Sequence, residues 1–216
     1  MINIMISDPD LFAREGIKQM LAKYPDLVVT FEADSVQQIF HGLHEVRPDV
    51  CLLEISMAKH SWLGLVRDVK RQAHGIPTLV MSHCHERDFA LRTLRAGAAG
   101  YLPKDCTDEQ LACAIRTAAT RRPYVSDTLC ELIAESIIEG SPKRQHDHLS
   151  DTDFEIFCLV AQSMPVAKIA GICNLSVGVV RARRNRIMAM MALRTEAQLV
   201  EYAIKRNLIG QAYSAS

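Results

Sequence analysis

The chain of 216 residues has no charge excess of either sign, since 25 Lys and Arg stand against 25 Asp and Glu. Summed over the whole chain, that balance argues against a nucleic-acid binder, although the sum hides how charge is distributed. Cysteine pairing is also missing. The seven cysteines, at 51, 84, 106, 113, 130, 158 and 173, are odd in number and include no C-x-x-C spacing. This speaks against a disulfide framework and fits thiols used as small apolar side chains in a reducing compartment. No apolar run approaches membrane-spanning length, and Met1-Ile2-Asn3-Ile4-Met5-Ile6 has neither a basic region nor a cleavage site. The expected location is the cytoplasm, with no membrane partner. Internal repeats and low-complexity tracts are absent too. What is present is 49% hydrophobic residues, enough to build cores, over a length that suits two compact units or one large α/β unit.

The first 120 residues alternate short apolar runs with amphipathic stretches. Ile2 to Ser7, Leu27 to Phe31, Val50 to Leu53, Ile76 to Met81 and Gly100 to Leu102 read as strands. Between them, Leu11 to Tyr24, Val36 to Leu43 and Phe89 to Leu94 carry apolar residues at helical spacing, and Thr107 with Gln110 forms a capping box for a helix through Ala119. Apolar strands alternating with helices predict a parallel sheet covered on both faces, a doubly wound α/β domain. Such sheets place their sites at the carboxyl ends of the strands. Those ends are Ser7 to Asp10, Glu54 to Met57, Ser82 to Cys84, and Pro103-Lys104. After a helix over Leu129 to Ile138, the polar, non-periodic stretch Gly140 to His148 reads as a linker.

Beyond the linker the pattern is helical only. Ser150 with Asp153 opens the first helix as a capping box, Pro165 suits the first turn of a second, and Asn174-Leu175 makes a turn. Ser176 caps a third helix running to about Met190, and Thr195 with Gln198 caps a fourth through Lys205. The charge divides at the same boundary. Residues 1–142 hold 15 basic against 19 acidic residues, and residues 143–216 hold 10 against 6, so the net charges are −4 and +4. Arg181, Arg183, Arg184 and Arg186 all fall in the third helix. A short helix, a tight turn and an arginine-rich helix match the helix-turn-helix plan, whose second helix enters the major groove. The plainer alternative is a solvated surface helix. A further expectation is that the acidic half restrains the basic half by attraction across the linker.

These residues resemble a known family. Leu149 to Glu155 is similar to the opening of LuxR-type helix-turn-helix domains, and Ile169-Ala170, Leu175 to Arg181 and Arg186-Ile187-Met188 continue the likeness. Ile6-Ser7-Asp8, Arg14-Glu15-Gly16, Arg47 to Val50, Arg95 to Leu102 and Lys104-Asp105 resemble a response-regulator receiver. In this order the chain resembles the NarL/FixJ subfamily over nearly its whole length. The resemblance implies a flavodoxin-like, five-stranded receiver over 1–122, a helix and linker over 123–148, and an all-α DNA-binding domain over 149–216. It implies a DNA-binding transcriptional regulator and not an enzyme. The partners would be double-stranded DNA and a second copy of the chain, with Leu199 and Tyr202 on the last helix as the dimer contact. The alternative is a protein-interaction module in which the receiver sequesters a partner protein.

The resemblance also assigns a receiver pocket of Asp8, Asp10, Glu54, Ser82, Tyr101 and Lys104. Two positions depart from the family pattern. The acidic pair that holds Mg²⁺ in such receivers becomes Asp8-Pro9, and the phosphoacceptor aspartate becomes Glu54. Proline supplies no ligand, and an extra methylene displaces the carboxylate by on the order of 1 Å, enough to spoil in-line transfer. No metal or cofactor is expected. Glu54 is instead expected to sit as a fixed anion against Lys104, imitating part of a phosphate's charge. On the DNA side, Arg181, Ala182 and Asn185 are base-facing candidates. Lys168, Arg183 and Arg186 are phosphate candidates, and Val179 stands where relatives carry threonine. Arg184 fits a structural role as well as a contact. His83-Cys84-His85 with His60 and Cys106 matches no standard metal spacing, and Trp62, placed on a loop, suits either a partner surface or a buried ring.

Overall fold

In a computed structural model, residues 1–55, 61–72, 75–138 and 144–209 are described. Five strands form one parallel sheet: β1 (Ile2–Ser7), β2 (Leu27–Ala33), β3 (Val50–Glu54), β4 (Thr78–Ser82) and β5 (Gly100–Pro103), in the order β2-β1-β3-β4-β5. Every residue of β3 and β4 is buried, which is why both read as unbroken apolar runs rather than alternating ones. Ser7 pairs with Leu53, Glu54 with Met81 and Ser82 with Pro103. This register gathers the ends of four strands at one edge of the sheet.

Helices cover both faces. On one, α1 (Leu11–Leu21) and α5 (Asp108–Ala119) bury Ile17, Leu21, Leu111 and Ile115 against Ile4, Ile6 and Leu52. On the other lie α2 (Val36–Glu45), α3 (Trp62–Gln72) and α4 (Glu86–Ala96). Thr107 and Gln110 make both halves of their capping box. The α4 helix stops at Gly97, whose φ of +112° few other residues would tolerate. Trp62 is not on a loop: it opens α3 and is buried, with its ring centroid 5.3 Å from that of Phe89. The helical spacing of Leu63, Val66 and Val69 is the signal for that helix.

A sixth helix, α6 (Asp127–Ile137), lies along α4, with Arg87 Nη2 2.8 Å from Glu135 Oε1. The stretch read as a linker is only partly within the described residues. Its second half is a short 3₁₀ turn, Gln145–His148, with His146 buried. Four helices follow: α7 (Asp151–Ala161), α8 (Val166–Ile172), α9 (Val177–Met190) and α10 (Glu196–Lys205). Pro165 stands just before α8 as its N-cap residue, not within its first turn. The α8–α9 turn passes through Asn174 at φ +53°, a left-handed conformation that asparagine accepts readily. One apolar cluster runs from Leu53 and Val80 through Trp62 and Phe89 to Phe154, Phe157 and Leu199, so the sheet region and the helical region share a core.

Candidate functional site

The carboxyl edge of the sheet holds a buried charge cluster. Lys104 Nζ lies 2.5 Å from Asp8 Oδ2 and 2.7 Å from Glu54 Oε2, and both carboxylate side chains are only 2% exposed. Burial opposes a charged amine at Lys104, but Glu54 and Asp8 outweigh it and hold its pKa above the ordinary value. Ser82, also buried, accepts a hydrogen bond from the Cys84 backbone N–H at 3.3 Å. The Tyr101 ring is wholly buried, and its hydroxyl donates to the Cys84 carbonyl at 2.6 Å. Burial first, helped by nearby anionic groups, pushes its phenol well above the usual range. Asp10 does not join them. It is exposed and caps α1 by accepting from the Phe12 N–H, a role set by its place one residue before the helix.

A receiver's Mg²⁺ would need oxygen ligands from this edge. The set does not fit it: Pro9 offers none, and the carboxylates of Asp8 and Glu54 both rest on the Lys104 ammonium. The other cation-like cluster is no better. Asp88, His146 and Asp147 present ligand atoms within 4.8 Å of one another, but Arg144 pairs with both carboxylates, at 2.5 Å and 2.9 Å. His83 and His85 are exposed while Cys84 between them is half-buried, the alternation expected of a strand end. Desolvation pushes the Cys84 thiol up to about 11. His60 lies outside the described residues.

The second candidate surface is α9. Val180, Ile187 and Met191 are buried beneath it, whereas Val179, Arg181, Ala182, Asn185 and Arg186 are exposed, as is Lys168 on α8. The four arginines divide into distinct roles. Arg184 reaches α10, 2.6 Å from Glu196. Arg183 Nη1 lies 2.9 Å from Asp153 Oδ1, and Arg186 Nη2 pairs with Asp153 Oδ2. Asp153 is therefore more than a capping residue. Burial would raise its pKa, but the Ser150 hydroxyl and the two guanidiniums outweigh burial and lower it. Among the described residues no carboxylate pairs with Arg181.

Between these two surfaces runs a polar seam. Asp88 on α4 accepts from His146 Nε2 at 2.7 Å, and His146 Nδ1 meets the Tyr202 hydroxyl of α10 at 2.7 Å. Arg92, also on α4, donates to the carbonyls of Leu149 and His146, both at 3.1 Å, and to Asp151 at 2.8 Å. Its guanidinium lies 4.2 Å from the centroid of the Phe154 ring. Glu155 of α7 accepts from the Leu63 N–H at 3.3 Å. Sequence reasoning misses this seam, because Arg92 and its partners are 54 to 59 residues apart.

On α10, Leu199 is wholly buried in its own helical region, Tyr202 is half-buried with its hydroxyl on His146, and Ile204 is exposed. The outward face of α9 lies clear of this seam. Across the seam the receiver side supplies the cation at Arg92–Asp151 and the anion at Asp88–Arg144.

The model of the response regulator receiver domain matches residues 4–116, slightly more than half of the chain. The chain belongs to the response regulator receiver family. Among curated proteins, this response regulator is 28% identical over 216 residues to the response regulator GacA of Pseudomonas aeruginosa, covering 98% of this chain and all of that protein. It is 29% identical to the oxygen regulatory protein NreC of Staphylococcus aureus, covering 96% and 99%. Among solved structures, RcsB from Salmonella enterica serovar Typhimurium, bound to the rprA promoter in the presence of a phosphomimetic, superposes with a TM-score of 0.76. The identity there is 18%, over 93% of this chain and 97% of that one. That likeness extends over the flavodoxin-like sheet and the C-terminal helices together. No described helix is long and apolar enough to cross a membrane.

Proposed function

We propose that this response regulator is a two-component transcription regulator that binds double-stranded DNA through α9 and works without aspartyl phosphorylation. In this reading residues 1–122 are the receiver, 123–148 a helix and connecting segment, and 149–216 the DNA-binding domain. One observation carries the reading: the face of α9 bearing Arg181, Ala182 and Asn185 is exposed while the helices behind it are packed on the receiver. Arg181 offers a planar fork for guanine, and Asn185 can pair with adenine. Lys168, Arg183 and Arg186 are placed for phosphates, and Val179 suits a thymine methyl. RcsB, a fold relative, is described bound to promoter DNA. The altered receiver pocket supports independence from phosphate, because its lysine already holds an anion at the acceptor position.

One helix of 14 residues contacts few base pairs, so the protein acts as a homodimer on a two-fold site. Selection of duplexes from a random pool by the full-length chain, with no phosphodonor, should enrich a motif with two half-sites about one helical turn, or a multiple of it, apart. Arg181→Ala should then relax preference at one position, at a cost of about 1–3 kcal/mol. A pool that enriches nothing overturns the reading.

A further inference from the structure

We propose that Asp153 sets how well the protein discriminates among DNA sequences, by tethering two arginines of α9 in one fixed arrangement. The inference rests on the DNA-binding reading above and concerns a residue that touches no DNA. Asp153 lies in the first turn of α7, and its side chain is 3% exposed. One oxygen takes Arg183, and the other takes Arg186 and the Ser150 hydroxyl at 2.6 Å. Arg183 and Arg186 are three positions apart, so they lean to one side of the helix, flanking the face that carries Ala182 and Asn185.

A single carboxylate between two guanidiniums leaves a net charge of one rather than two. It also occupies the inward N–H groups, so that the outward ones meet a phosphate in one geometry. Arg186 remains 55% exposed for that purpose, and Arg183 is 31% exposed. An untethered pair would reach any nearby phosphate on any sequence, and such contacts raise affinity without regard to bases. Asp153 thus lowers general affinity and fixes register. Arg181, which has no such tether among the described residues, is free to follow a base edge.

The test uses the full-length chain and two duplexes, one selected from a random pool and one with the same bases shuffled. Binding is measured across a salt series for wild type, Asp153→Asn and Asp153→Glu, with thermal unfolding recorded for each. Asp153→Asn should bind the shuffled duplex several-fold more tightly. Its log K against log salt should steepen by about 0.9, one added phosphate contact. Its preference for the selected duplex should fall on the order of tenfold. Asp153→Glu keeps the anion and should keep most of the preference. A merely structural residue would instead lower both affinities in parallel, with the slope unchanged, and that result overturns the inference. If Asp153→Asn does not fold, Arg186→Gln takes its place. It should flatten the slope by about 0.9 and lower the preference, and an unchanged slope counts against the proposal. A wild-type chain with no preference would overturn the DNA-binding reading itself, whereas a preference that Asp153→Asn retains in full overturns this inference alone.

Discussion

Lys104→Met is expected to destabilise the protein by on the order of 3–5 kcal/mol, the range for breaking a buried ion pair by removing one partner. The ammonium is the shared counter-charge of Asp8 and Glu54, whose side chains are 2% exposed, and it is itself 10% exposed. Without it two carboxylates stand close together with little water. Their repulsion in the folded state adds to the loss of the ion pair. Glu54→Gln in the Lys104→Met background removes the repulsion and should recover most of the loss, a non-additivity expected of direct partners. Urea unfolding of the single and double variants checks both points. A Lys104→Met penalty below about 1 kcal/mol would show that the cluster is hydrated like a surface pair.

Arg92→Ala should separate the helical region from the receiver, and it is the second large effect. The guanidinium makes three hydrogen bonds across the seam, rests on the Phe154 ring and has a side chain only 8% exposed. Truncation leaves the carbonyls of Leu149 and His146 short of a donor and opens a gap beside Phe154 in the shared core. The expected cost is about 2–5 kcal/mol of docking free energy, as for truncating one partner of a buried hydrogen-bonded charge pair. The lone tryptophan reports it. Trp62 packs on Phe89, which packs on Phe154 at 5.3 Å, so undocking wets the indole and shifts its emission to the red before global unfolding. Calorimetry should resolve two transitions where the wild type shows one. Unchanged emission with one transition would mean that the apolar contacts suffice without the arginine.

Local chemistry carries much of the fold into the sequence. Apolar runs and capping boxes mark the five strands and most helices, because each depends only on residues a few positions apart. The departures at Pro9 and Glu54 are single residues at strand ends, where a parallel sheet gathers its site, and the register brings Asp8, Glu54, Ser82 and Lys104 to one edge. Asp10 stands beside them in the chain, but one step along the backbone turns it toward the helix cap. The seam is hidden for a different reason. Arg144 and His146 sit in a polar stretch with no periodicity, and only the approach of α4 and α10 reveals what they bind. Leu199, an apolar residue on the last helix, is likewise placed by packing alone, which buries it within its own helical region.

The most direct test of a receiver that works without phosphate compares DNA binding by the full-length chain with and without acetyl phosphate and Mg²⁺, while mass spectrometry follows the intact protein. The expected result is sequence-selective binding of equal affinity in both conditions and no mass increase. A donor-dependent gain in affinity accompanied by stoichiometric phosphate on Glu54 would contradict it.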